Sequence, residues 1–394
     1  MPVAPISRAV KKGVAVSKNY RPQPQLHVSK LKSLSILASL ALLLICPPSA
    51  SPQEPSPQFQ DLATRAATAR DKDDLPLAIQ LYRQADQLKP DWAEGWFYLG
   101  LLEYSSNDFP SAIDALNHLL LLQPGAPPAL ALRGLSEFET AAYDDSLRDL
   151  EQAVQKGAAN EPHNEQIIRY HYAQLLARSS RFEDAVLQYQ FFAAHHIDDP
   201  DLLLGLGLAG MRNTTLPKDI PTDSRQVYEA AGSAGYVFLS GDSVAADAAF
   251  KQLFARYPTT PNLHFFYGVL LFMHGPDLAI DQFRSEVAIA PGNADAHAIL
   301  AYALMFAGRF AEALPEAELA VAAAPGMEMA ELALGRSLAE TGDTTRAGEV
   351  LNGILKHDPD NLEAHMAMAA MYGRAGRKED AYRERMVCLG IKKQ

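Results

Sequence analysis

The chain repeats itself every 34 residues. An alanine recurs as Ala78, Ala112, Ala279, Ala313, Ala347 and Ala381, and four of the steps in that series are 34. A proline recurs as Pro90, Pro124, Pro258, Pro291, Pro325 and Pro359, with steps of 33 or 34 between adjacent members. A small residue keeps the same phase as Gly100, Gly134, Gly268, Ala301, Gly335 and Ala369, and a glycine as Gly241, Gly275, Gly308, Gly342 and Gly376. A fixed period of this length implies one small helical unit that cannot bury its apolar face alone and must stack on its neighbours.

The residue types at these positions give the unit its shape. Each repeat reads as two antiparallel helices. The small residues let the two helices approach closely. Large residues at neighbouring positions (Leu99, Leu116, Phe250, Phe283, Leu334 and Leu351) fill the space between repeats. Proline cannot continue a helix interior, so it stops the second helix before the next repeat begins.

Trp96-x2-Leu99-Gly100, followed by Ala112 and Pro124, has the internal spacing of one tetratricopeptide (TPR) repeat. The chain resembles the TPR family over about residues 59–390. The resemblance implies an all-α fold: a TPR solenoid of about nine antiparallel helix pairs in a right-handed superhelix.

The pattern also departs from the family. The tyrosine expected three residues after the small residue is Glu103 in the second repeat and Leu304 in the seventh. The step from Ser146 to Ala185 is 39, stretched around Lys156–Glu165, and the step from Ala185 to Ala246 is 61. The second excess has room for one helix and a loop. Residues 201–211 read as a helix, 212–223 as a loop with Pro217 and Pro221, and 224–239 as another helix. An unpaired helix there would interrupt the stacking near 200–224. The expected organisation is a head of residues 1–50, a proline-rich linker 51–58, a first block 59–200, an extra helix and loop 201–223, and a second block with a capping helix 224–390.

In TPR proteins the first helices line a concave face with the second, fifth, ninth, twelfth and thirteenth residues of each repeat. Carried over by position, the resemblance implies a groove formed by Phe97, Leu101 and Tyr104, then Leu135 and Phe138, then Tyr170 and Gln174. It continues with Phe238, then Phe265, Val269, Phe272 and Met273, then Tyr302, Met305 and Phe306, then Arg336. This lining is aromatic and apolar, suited to capturing a peptide or helix of a protein partner, and it competes with a role in packing repeat on repeat. The fifth positions (Phe97, Ala131, Tyr170, Phe265, Ala298 and Leu332) include no lysine, which disfavours the carboxylate clamp of some TPR domains.

Apolar residues make up 48% of the chain and charged residues 21%, enough to bury a core. The formal charge is −12, yet residues 1–53 carry seven lysines and arginines and no acid. The remainder is therefore strongly acidic and a poor partner for nucleic acid, whose phosphates need a basic surface.

The head has the order of a secretory signal peptide: Lys30 and Lys32, an apolar run Leu34–Ile45, and a small-residue exit with cleavage expected after Ala50. The run is short for a membrane-spanning helix, so a lasting N-terminal anchor is the alternative and the one expected membrane contact. A lipoprotein signal at Cys46 fails at Ile45, which should be small. The unusually long basic region shortens to an ordinary one if translation starts at Val28. The basic stretch Arg374–Lys393 reads as a solvated capping helix, or as a contact for an acidic partner or membrane surface.

Chemistry-bearing patterns are sparse. Gly205-Leu206-Gly207-Leu208-Ala209-Gly210 matches a dinucleotide fingerprint in letters only, because the glycines lie within a helical pattern rather than after a strand. His195, His196, Asp198, Asp199 and Asp201 carry metal-ligand chemistry, but they fall where one helix ends and the next begins, which suits caps. Asp358, Asp360, Asn361 and Glu363 lack the glycine of a calcium loop. Cys388 falls on the apolar face of the last repeat and reads as a buried thiol. With two cysteines, a disulfide scaffold is excluded. Neither catalytic residues, metal nor cofactor are expected. The repeats use nearly all of the exported chain, so the function expected is a non-catalytic scaffold binding a peptide or protein outside the cytoplasm. The alternative is a structural subunit of a cell-envelope or secretion assembly.

Overall fold

The computed structural model describes residues 56–158 and 162–390. The expected signal peptide and residues 51–55 of the expected linker lie outside the described residues. The linker's end is helical instead: Pro57 opens the first helix, and the Ser56 hydroxyl caps it by accepting from Phe59 N at 3.2 Å.

The described residues form nineteen α-helices and one short 3-10 turn, with no strand among them. Four hairpins come first: α1 (Pro57–Asp71) with α2 (Leu75–Leu88), α3 (Ala93–Ser105) with α4 (Phe109–Leu122), α5 (Pro127–Glu139) with α6 (Tyr143–Gln155), and α7 (Pro162–Arg178) with α8 (Phe182–Ala194). The insertion α9 (Pro200–Gly210) follows, then the 3-10 turn Pro217–Asp219, α10 (Thr222–Leu239) and α11 (Ser243–Arg256). Four more hairpins complete the chain: α12 (Leu263–Phe272) with α13 (Pro276–Ile289), α14 (Ala294–Phe306) with α15 (Phe310–Ala323), α16 (Glu328–Thr341) with α17 (Thr344–His357), and α18 (Leu362–Arg374) with α19 (Lys378–Cys388). The result is an all-α solenoid of stacked helical hairpins, as the resemblance implies.

Four of the hairpins close on the same kind of contact. A Cβ placed on Gly100 would lie 2.8 Å from Leu116 Cγ, and one on Gly134 2.8 Å from Leu150 Cδ2. On Gly268 it would lie 2.4 Å from Phe283 Cε1, and on Gly335 2.7 Å from Leu351 Cδ2. All four facing side chains are fully buried. The glycines are sockets into which the second helix inserts a bulky apolar side chain.

The turns inside the hairpins, other than that between α12 and α13, reverse through a left-handed residue. Gly342 takes φ 104°, where a side chain would be strained, while Asn107 and Ala141 adopt about the same turn at φ 60° and 62° without glycine. Aspartate then caps several second helices: Asp242 accepts from Ala245 N at 2.9 Å and Asp343 from Arg346 N at 3.1 Å. At the other end, the fourth residue of several first helices fastens the preceding proline turn. Trp96 Nε1 donates to Pro90 O at 2.9 Å, His297 Nε2 meets Pro291 O at 3.0 Å, and His365 Nε2 meets Pro359 O at 2.9 Å.

The inserted helix is not unpaired. α9 packs along α10, and the two backbones touch: a Cβ on Gly207 would lie 1.9 Å from Tyr228 O, and one on Gly232 1.8 Å from Leu203 O. α10 therefore serves two hairpins, one with α9 and one with α11. The apolar core runs through this region without a gap, one cluster extending from Leu130 through Leu206 and Ala231 to Leu270. The 34-residue phase breaks here, but the packing does not.

One buried group is out of keeping. Asp86 of α2 is fully buried, and neither carboxylate oxygen has a hydrogen-bond partner among the described residues. Gly95 leaves the room for it, since a Cβ there would stand 2.1 Å from Asp86 Oδ1. Burial pushes this carboxyl up to about 8, and the nearby charge of Glu103 adds to the effect.

Gly268→Ala forces a Cβ onto the Phe283 ring and should cost about 1–3 kcal/mol in urea unfolding. Gly353→Ala, at a helical site with no atom within 4 Å, should instead stabilise by about 0.5–1 kcal/mol. The folded state holds the Asp86 proton more tightly than the unfolded chain, so this group's contribution is complete below the ordinary carboxylate range and is lost as pH rises through about 8. Urea midpoints of wild type and Asp86→Asn should be close at about pH 3.5 and draw apart as pH rises, with the variant the more stable at pH 9.

Candidate functional site

The first helices bring the expected groove residues onto one face, but to different depths. Phe97, Leu101, Leu135, Phe138, Tyr170, Gln174, Phe265 and Met305 are buried, as is Phe238. Tyr104, Val269, Phe272, Tyr302 and Arg336 are half-buried. Met273 and Phe306 are open to solvent, at 48% and 46% exposure. The buried members pack within and between hairpins: Phe265 lies against Phe283 of its own hairpin with ring centroids 5.9 Å apart, and Phe97 and Leu101 share a cluster with Leu116 and Leu119 of their own hairpin and Leu132 of the next. A position in the repeat fixes which face a side chain takes, not whether the next repeat covers it.

The middle of the face is occupied by the chain itself. The segment between α9 and α10 crosses it as a strap, anchored by Leu216 (1% exposed) and the buried Pro217. Arg212 is its main fastening. The guanidinium stacks 4.7 Å from the Phe182 ring and 4.9 Å from the Phe265 ring. It also pairs with Glu183 at 2.6 Å and Asp295 at 3.1 Å, so one side chain joins α8, α12 and α14. Lys218 stands 5.6 Å from both the Phe138 and Tyr143 rings. Hydrogen bonding to the Tyr143 hydroxyl raises the Lys218 amine above its ordinary range. Asn213 stiffens the strap by accepting from Thr215 N at 2.9 Å and donating to the Tyr228 hydroxyl at 2.9 Å. No local sequence signal marks Arg212, because its partners lie in three other helices.

Beyond the strap an aromatic ledge remains open. Phe272 lies 6.2 Å from Tyr302 and 6.4 Å from Phe306, and Tyr302 lies 4.7 Å from Phe306. Met273 extends the ledge. The Tyr302 hydroxyl donates to the Glu363 carboxylate at 3.2 Å, reaching from α14 to α18. Burial first, then the charge of Glu363, pushes the Tyr302 phenol up to about 12, so it remains a donor at neutral pH. Arg336 lies 5.8 Å from the Phe310 ring beside this ledge.

The other candidates have structural roles. The Gly205–Gly210 pattern lies inside α9, where Gly205 meets the Tyr189 hydroxyl, Gly207 the α10 backbone and Gly210 the Phe266 ring. His195 ends α8, its Nδ1 2.8 Å from Phe191 O, and Asp199 caps α9 by accepting from Asp201 N at 2.9 Å. Asn361 caps α18 through Ala364 N at 3.0 Å and donates to Asp358 at 3.2 Å, a turn between repeats. Cys388 is half-exposed rather than buried. Among the described residues no group of three His, Cys, Asp or Glu side chains comes together, and no helix is long and apolar enough to cross a membrane. A hollow of about 220 Å³ lined by Tyr143, Leu147, Leu175 and Arg178 is smaller than the roughly 300–1,000 Å³ of small-molecule sites.

Comparison with known proteins agrees with the repeat phase. Two family models described as tetratricopeptide repeat match residues 97–162 and 307–371. A tetratricopeptide repeat protein from Parabacteroides merdae is 14% identical, at a TM-score of 0.32, over 71% of this chain and 99% of its own. Yeast Tom70 is 13% identical, at a TM-score of 0.27, over 85% of this chain and 92% of its own. YrrB, described as a TPR protein with an unusual peptide-binding site, is 15% identical, at a TM-score of 0.23, over 73% of this chain and 96% of its own.

Arg212→Ala should release the strap. Losing two ring contacts and two ion pairs is expected to cost roughly 1–3 kcal/mol and to open residues 212–221 to limited proteolysis. Arg212→Lys should recover only part of this, since an ammonium does not stack or fork as a guanidinium does. Cleavage patterns unchanged in both variants would contradict the fastening role.

Proposed function

The chain belongs to the tetratricopeptide repeat family, and from that premise we propose that it is a non-catalytic scaffold that works outside the cytoplasm and holds a peptide or protein partner against its concave face. The family's repeat fold is typically one of protein interaction rather than catalysis, which is the ground for assigning no reaction. The observation that carries the reading is the open ledge of Phe272, Met273, Tyr302 and Phe306, where large apolar side chains face solvent on the surface that repeat proteins of this kind use for binding. Export is supported by the order of basic, apolar and small residues in 1–50.

A second reading, a structural subunit of an envelope or secretion assembly, has one observation in its favour. Tyr382 of α19 and Leu389 just after it are exposed at 57% and 68%, a face on which another element could stack.

Crosslinking capture from the envelope fraction separates the two. The comparison is wild type against Met273→Ser with Phe306→Ser, both exposed sites where substitution leaves the core intact. A partner captured by wild type and lost from the folded double variant is the expected result. Capture unchanged in that variant but abolished by Tyr382→Ser with Leu389→Ser would favour the assembly reading. A chain recovered only from the cytoplasm would contradict the export proposal.

A further inference from the structure

The strap records how this concave face treats a cation. Arg212 is taken between two rings, Phe182 and Phe265, and two carboxylates, Glu183 and Asp295. Lys218 stands beside the Phe138–Tyr143 ring pair, 5.6 Å from each centroid. Both cations come from a segment that also buries apolar side chains, Leu216 and Pro217. The protein thus carries an internal example of an apolar, cation-bearing segment seated on its own groove.

The open ledge has the same composition without the cation. Phe272, Tyr302 and Phe306 stand within 6.4 Å of one another, and Glu363 sits 3.2 Å from the Tyr302 hydroxyl. Among the described residues no lysine or arginine stands over these three rings, and Arg336 lies to one side over Phe310. Aromatic faces attract cations, a carboxylate strengthens the attraction, and the whole chain carries a formal charge of −12.

Resting on the scaffold reading above, we propose that the ledge is the docking point for an arginine-bearing apolar segment of a protein partner, held as the chain holds its own Arg212. Arginine suits the site better than lysine, because a planar guanidinium stacks on rings while forking to a carboxylate. The strap closes the face on one side, so the segment lies along α12, α14 and α16 rather than along the full solenoid.

The test uses the full chain and a fluorescein-labelled hexapeptide of alternating leucine and arginine, read by anisotropy against the same peptide with neutral citrulline for arginine. The arginine peptide should bind at least about tenfold more tightly. Phe306→Ser should weaken it by about tenfold, and Glu363→Gln by several-fold. Asp281→Asn removes one acidic charge from α13 at a side chain 90% exposed and should leave binding unchanged. Equal loss in Asp281→Asn and Glu363→Gln would mean diffuse attraction to an acidic body and would overturn the proposal. Equal binding of both peptides, still lost in Phe306→Ser, would overturn the role of the cation while leaving the groove reading intact. Failure of both peptides to bind would overturn the proposal, and the scaffold reading would then stand or fall by the capture experiment alone.

Discussion

Everything in this molecule depends on one recurring contact, a small residue of a first helix receiving a bulky side chain of the second. Gly100 receives Leu116, Gly134 receives Leu150, Gly268 receives Phe283 and Gly335 receives Leu351. Because the two helices meet so closely, the large residues around each socket are left to face the next hairpin. Stacking then becomes the only way to bury them, and a chain of such units grows in one dimension. Proline turns, tied down by Trp96, His297 and His365, set where each unit stops.

The insertion applies the same principle with tighter spacing. Glycines on both α9 and α10 bring two backbones into contact, so an additional helix joins the stack without opening the core. Its consequence lies on the other side of the helix layer. The segment that leaves α9 has to return to α10, and it does so across the concave face, where Arg212 and Lys218 find aromatic rings. An irregularity in repeat length thus divides the face into a part the chain fills itself and a part that stays open.

The sequence made the all-α repeat fold legible because the socket contact needs a fixed residue type at a fixed spacing. Pairing of α9 was not legible, since Gly207 and Gly232 belong to no period and meet only in three dimensions. Depth within the groove was equally hidden. Phe265 and Phe306 occupy groove positions of adjacent repeats, yet one is covered by Phe283 and Arg212 while the other stands in solvent. Repeat position encodes direction, whereas exposure depends on what the neighbouring elements bring. Cys388 illustrates the same limit, since the repeat pattern calls for burial and the thiol is half-exposed.

The central claim is that a partner binds on the open side of the strap and not beneath it. Hydrogen exchange on the full chain, with and without its captured partner, tests this directly. The account predicts added protection in α12, α14 and the ends that carry Phe272, Met273 and Phe306, with residues 212–221 exchanging as before. Protection confined to the second helices, or a strap that loses protection as the partner binds, would contradict it.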